Sequence, residues 1–165
     1  MQLFLEELSQ ILAEELRLYE ELFSLSQVEQ RLLVVNDTNS LDHSLVEMRA
    51  VVARLEALGE RRMTLLGQLS EHTGIALEQL TLERLSELAQ GATGVRLERL
   101  RSEFGELMGR LHRLNGQNLL LIRNSLDMTD RAVRLILGET GQVHFYGQAG
   151  QGQTASGPRI LSRRM

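Results

Sequence analysis

Leu5, Leu8, Leu12, Leu16, Tyr19 and Phe23 follow one another at steps of three and four. That spacing puts six large apolar side chains on one helical face and predicts a first helix over about residues 2–34. The opposite face carries the acidic doublets Glu6-Glu7, Glu14-Glu15 and Glu20-Glu21, expected to be solvated. Asn36-Asp37-Thr38-Asn39 interrupts the pattern with turn and capping residues. A second helix is predicted over about 39–73. Its heptad seam is Leu41, Leu45, Met48, Val52 and Leu55, resuming at Leu66 and Leu69 and widened by Val51, Leu58 and Leu65. The short connector makes these two helices an antiparallel hairpin. Gly74 is placed as a left-handed cap.

A smaller insertion follows. Thr81 can cap a short helix over about 82–90 that buries Leu82, Leu85 and Leu88, with Gly91 and Gly94 at its exit. A third long helix, about 95–138, has the most regular seam: Leu100, Phe104, Leu107, Leu111, Leu114, Asn118, Leu121, Ser125, Met128, Ala132 and Leu135. The fold class is therefore all-α. Three long antiparallel helices form a coiled-coil-like bundle over 1–138, with one short helix between the second and third. Residues 139–165 hold glycine and glutamine with little to bury, and read as a flexible tail.

Composition removes whole classes of chemistry. Of 165 residues 34 are leucine, and there is a single proline, Pro158. No cysteine is available for disulfides, thiol catalysis or zinc thiolates, and no lysine for a Schiff base or a Walker-type phosphate loop. The net charge of −4 argues against nucleic acid as a partner, and the tail's Arg159, Arg163 and Arg164 are too few for a basic arm. No apolar run is long enough to insert in a membrane, and the start of the chain does not resemble a signal peptide. A soluble, cytoplasmic protein is expected.

Helical bundles can house di-iron centres built on Glu-x-x-His pairs. Here the residues three before His43, His72, His112 and His144 are Ser40, Leu69, Gly109 and Gly141, so that spacing never occurs. There is no nucleophile elbow either, and Gly147-Gln148-Ala149-Gly150-Gln151-Gly152 has neither strand before it nor helix after it. No metal, no cofactor and no catalysis is expected. Gly105 and Gly109 are spaced for close helix approach or local looseness.

The informative departure is a surplus. Leu119-Leu120-Leu121-Ile122 is apolar in four successive directions around the helix, and Leu126, Val133, Ile136 and Leu137 continue off the seam. One stripe per helix suffices for a three-helix bundle. The excess is a broad core face, a homodimer contact, or a stripe that receives a partner helix. Asn118 is either a register-fixing polar residue or an exposed interface position.

The order of these features resembles the FlgN family, the export chaperones of the flagellar type III secretion system. The likeness is carried by Glu15, Tyr19, Leu22, Leu25, Glu29 and Leu32 before the turn at Asn36-Asp37, then by Leu58, Arg61-Arg62, Leu65 and Leu69. Thr81-Leu82-x-x-Leu85 follows, then Leu114-Asn115-x-x-Asn118-x-x-Leu121-Ile122-x-x-Ser125-Leu126, and finally Tyr146-Gly147-x-x-Gly150. The resemblance implies a chaperone that holds the terminal amphipathic helix of hook-filament junction (hook-associated) proteins and delivers them to the export gate. It further implies that the rear of the third long helix takes the client. The expected client-binding residues are Asn118, Leu119, Leu120, Ile122, Leu126, Val133, Ile136 and Leu137. Tyr146 matches the tail tyrosine that docks on the cytoplasmic domain of the export gate. Two other readings share these features: a structural coiled-coil homodimer, and a sibling chaperone for the filament cap protein or flagellin.

Overall fold

The computed structural model describes residues 1–137, whose regular structure is entirely helical. The chain divides into two compact units, Met1–Met128 and Thr129–Met165. Helix α1 spans Gln2–Val35 and α2 spans Thr38–Thr73; a 3₁₀ turn at Leu77–Gln79 leads to α3, Leu82–Leu88, and then α4, Gly91–Leu137. The described part of the second unit is the stretch 129–137 of α4, where Arg134 pairs with Asp130 one turn before it. The tail assigned to 139–165 lies outside the described residues. Among the described residues no helix is long and apolar enough to cross a membrane.

The helix ends follow from local chemistry. Asn36 adopts the left-handed conformation (φ 55°), and the N–H groups of Asn36 and Asp37 donate to Leu33 and Leu32 carbonyls at 3.3 and 3.1 Å. The Asp37 carboxylate accepts from the Ser40 N–H at 3.2 Å and opens α2. Gly74, at φ 70°, closes α2 by donating to the Ser70 carbonyl at 2.8 Å. Thr81 Oγ1 accepts from the Arg84 N–H at 3.2 Å and starts α3. Helix α4 begins four residues earlier than its pattern suggests. The chain reverses so tightly there that a Cβ on Gly94 would lie 2.9 Å from the Ala89 carbonyl oxygen, and glycine in the first turn is what permits it.

Cross-helix pairs give the directions within the first unit. Glu21 meets Arg54 at 3.6 Å near the hairpin, and Phe4 meets His72 at a ring separation of 6.1 Å far from it, so α1 and α2 are antiparallel. Gln2 bonds to the Gln90 carbonyl, Tyr19 packs edge-on against Phe104, and Gln30 bonds to Gln117, so α1 and α4 run parallel. Leu5, Leu8, Leu12 and Leu16 of α1 form the core with Leu66 and Leu69 of α2 and Leu97, Leu100 and Leu107 of α4. Leu80 and Leu85, before and within α3, join the same cluster.

Three details differ from the sequence pattern. On α2 the expected seam is buried at Leu66 and Leu69, but in the first half of the helix the buried residues are Ser44 and Val51, one residue off the seam through Val52, which is exposed. The backbones of α1 and α2 approach closely, and a line carrying a serine leaves room for that. Glu15 does not join its doublet partner in solvent. It is buried, and its carboxylate takes the Arg62 guanidinium at 3.0 Å, which supplies the charge that such burial demands. The α4 seam, half-buried at Phe104, is otherwise buried from Leu100 through Asn118, is half-buried at Leu121 and Ser125, and emerges at Met128. Gln2–Gln90 and Gln30–Gln117 set an offset of 88 and 87 residues between the helices. Val35, the last residue of α1, is thus level with about residue 123, and Met128 lies past its end. In the second unit Ala132 and Leu135 are exposed as well.

Candidate functional site

Where α1 finishes beside α4, an open groove of about 690 Å³ lies between them. One wall is Gln30, Arg31, Val34 and Val35; the other is Gln117, Leu120, Leu121 and Asn124. Val34 and Val35 are 68% and 69% exposed, and Leu120 58%. Three aliphatic side chains left this far in water are an uncovered apolar surface, and apolar surface with polar edges marks an interaction site. The lining has no carboxylate, imidazole or hydroxyl, so the groove has nothing to move a proton or attack a carbonyl. Among the described residues, no group of three or more His, Asp or Glu is placed to hold a metal ion.

Asn118, next to the groove-lining Gln117 in the chain, is structural. Asn118 is only 3% exposed, and its Nδ2 donates to the Ser26 carbonyl at 3.0 Å and to a Glu29 carboxylate oxygen at 2.8 Å. It therefore pins α4 to α1 and is turned away from the surface where a client-facing residue belongs. The reason is positional: Asn118 sits on the α4 seam at a level where α1 still runs alongside. Of its two readings, register-fixing is the one the geometry supports. Upstream, Phe23 of α1 lies under the Arg110 guanidinium of α4, 4.4 Å from the ring centre.

The other residues singled out from the sequence fall as follows. Leu119, Leu120 and Leu126 are exposed and Ile122 is half-buried, all within the first unit. Val133 and Ile136 are exposed in the second. Leu137 ends α4, and Tyr146 lies outside the described residues. The pattern missed the α1 wall. Leu32-Leu33-Val34-Val35 is a second four-residue apolar run, directly before the Asn36 turn, and it is the same signal as Leu119-Leu120-Leu121-Ile122.

Several residues that carried the family likeness join the helices here: Glu15 to Arg62, Tyr19 to Phe104, and Glu29 to Asn118. No curated protein and no solved structure matches the chain. A family model described as FlgN protein matches residues 1–154. The chain thus belongs to the FlgN family, the flagellar export chaperones to which its sequence pattern points.

Proposed function

We propose that this protein is a cytoplasmic chaperone for hook-associated proteins, which holds their terminal amphipathic helix and delivers them to the flagellar type III export gate. The reading rests on the uncovered apolar surface at the end of α1 and the rear of α4. An unassembled subunit has an amphipathic helix with no partner, and a groove with aliphatic walls and amide edges is complementary to it. In the groove the client helix covers Leu120, with Val34 and Val35 as the facing wall, and Leu119, Ile122 and Leu126 offer anchors on the other side of α4. Val133, Ile136 and Leu137 offer further aliphatic anchors. Asn118, bonded to Ser26 and Glu29, is not among the anchors. Full burial of a leucine-sized side chain stabilises by about 1.5–3 kcal/mol before association costs, so three or four anchors reach micromolar affinity or better. Tyr146 is the residue that meets the cytoplasmic domain of the export gate.

The test is co-purification from flagellated cells. Leu126→Asp with Ile136→Asp is expected to lose the hook-associated proteins while far-ultraviolet circular dichroism stays helical. Undiminished co-purification by that folded variant removes the surface. Tyr146→Ala is expected to keep the client and lose the gate domain; normal gate binding clears Tyr146. A tight, concentration-independent dimer of the purified chain would assign the apolar surface to a second copy instead.

A further inference from the structure

We propose that α4 is hinged at Gly116 and latched by Asn118, so that residues 117–128 swing away from α1 and widen the groove. The walls of the groove belong to two helices, so their junction sets its width. That junction changes character along its length. Up to Leu114 it is apolar: Leu97, Leu100 and Leu107 lie in the main core, and Leu111 and Leu114 are buried. Beyond Gly116 it rests on hydrogen bonds, from Asn118 to Ser26 and Glu29 and from Gln30 to Gln117 at 3.1 Å, with Leu121 only half-buried. Separating buried leucines exposes apolar surface, whereas hydrogen bonds exchange with water at small net cost. The two halves of the contact therefore part with very different ease.

The polar node is also incompletely satisfied. Ser26 Oγ and Asn118 Oδ1 are buried without a partner. Opening admits water to them and offsets part of the lost packing. Gly116 supplies the point of bending. A Cβ there would meet nothing within 4 Å, so no neighbour requires glycine. Its effect is to weaken the helix at the boundary between the apolar and polar halves, and glycine is a recurrent site of helix bending. Gly105 is equally unobstructed, but buried Leu107 and Leu111 hold its turn in place. The hinge is a property of the free protein, so it stands or falls separately from client capture.

The chain has no cysteine, so engineered pairs take nitroxide labels cleanly. Gln27→Cys with Asn124→Cys spans the junction, and Gln10→Cys with Ser102→Cys spans the apolar half; all four positions are exposed. Pulsed electron paramagnetic resonance on the full chain should give two distance populations for the first pair and one for the second. Gly116→Ala should shift the first pair about five-fold toward the shorter distance, the helix-propensity difference expressed as a ratio. Asn118→Ala should shift it about ten-fold toward the longer. A single narrow distance across the junction overturns the hinge. So do populations that Gly116→Ala leaves unchanged, or equal broadening of the second pair.

Discussion

Replacing Leu120 by aspartate separates binding from folding. Leu120 is 58% exposed in the free protein, so folding buries less than half of it. The substitution should therefore cost about 1 kcal/mol of stability, from lost burial and the lower helix propensity of aspartate. Capture of a helix would bury the remainder, worth about 1–2 kcal/mol. The variant also forces an unpaired carboxylate against the partner, which adds about 1–3 kcal/mol. Affinity should fall by about two orders of magnitude while the fold survives. Titration calorimetry with a peptide of the terminal helix of a hook-associated protein measures this, with circular dichroism of the same samples. Leu3→Asp is the control. Leu3 is 80% exposed but lies at the other end of α1, and its loss should leave affinity unchanged. Leu114→Asp, at a buried seam position, should unfold the bundle. A helical Leu120→Asp protein binding within about three-fold of the parent would refute the groove, as would an equal loss from Leu3→Asp.

Arg62→Met should strand the Glu15 carboxylate, whose side chain is only 6% exposed, and cost about 2–3 kcal/mol, because Arg62 itself is partly in water. Thermal melts should fall by roughly 4–10 °C and largely recover when Glu15→Leu is added; an unchanged midpoint contradicts the pairing. Gly94→Ala should destabilise by about 1–2 kcal/mol in urea unfolding, since its Cβ would press on a backbone carbonyl oxygen. Gly67→Ala, where a Cβ meets nothing within 4 Å, should stabilise by about 0.5–1 kcal/mol; the opposite order would contradict the tight α3–α4 reversal. The Asp37 side chain accepts a hydrogen bond from Ser40, which holds its carboxyl below the usual value. Its contribution is present above the unfolded value of about 3.9 and is lost as pH falls through the lower folded value. Helix content followed from pH 5 to 2 should favour the parent over Asp37→Asn at pH 5 and converge as pH falls below about 4, and a difference persisting undiminished at pH 2 would assign the effect elsewhere.

The long helices were legible because their period and caps are local. Leu5 to Phe23 repeat along one face, and Thr81 and Gly74 mark ends that the backbone then respects. What one helix meets on another is not local. The offset between Val51 and Val52 depends on how closely α1 approaches. Glu15 reads as half of a solvated doublet until Arg62, 47 residues away, is brought to it. Asn118 is polar on a seam, and only the arrival of Ser26 and Glu29 settles which way it faces. The site was half visible for the same reason. A run that is apolar on every side shows that something must cover it, but not that Val34 and Val35 form its other wall.

The level start of α1 and α4, tied by Gln2 and Gln90, makes the length of α1 a ruler. Both rise about 1.5 Å per residue, so whatever is trimmed from the far end of α1 is uncovered on α4 at the same height. Shortening α1 by one turn before Asn36 would bare Leu121; lengthening it by one turn would carry its cover past Ser125 toward Met128. The reach of the uncovered apolar surface is thus adjustable through the hairpin alone, with no substitution in α4.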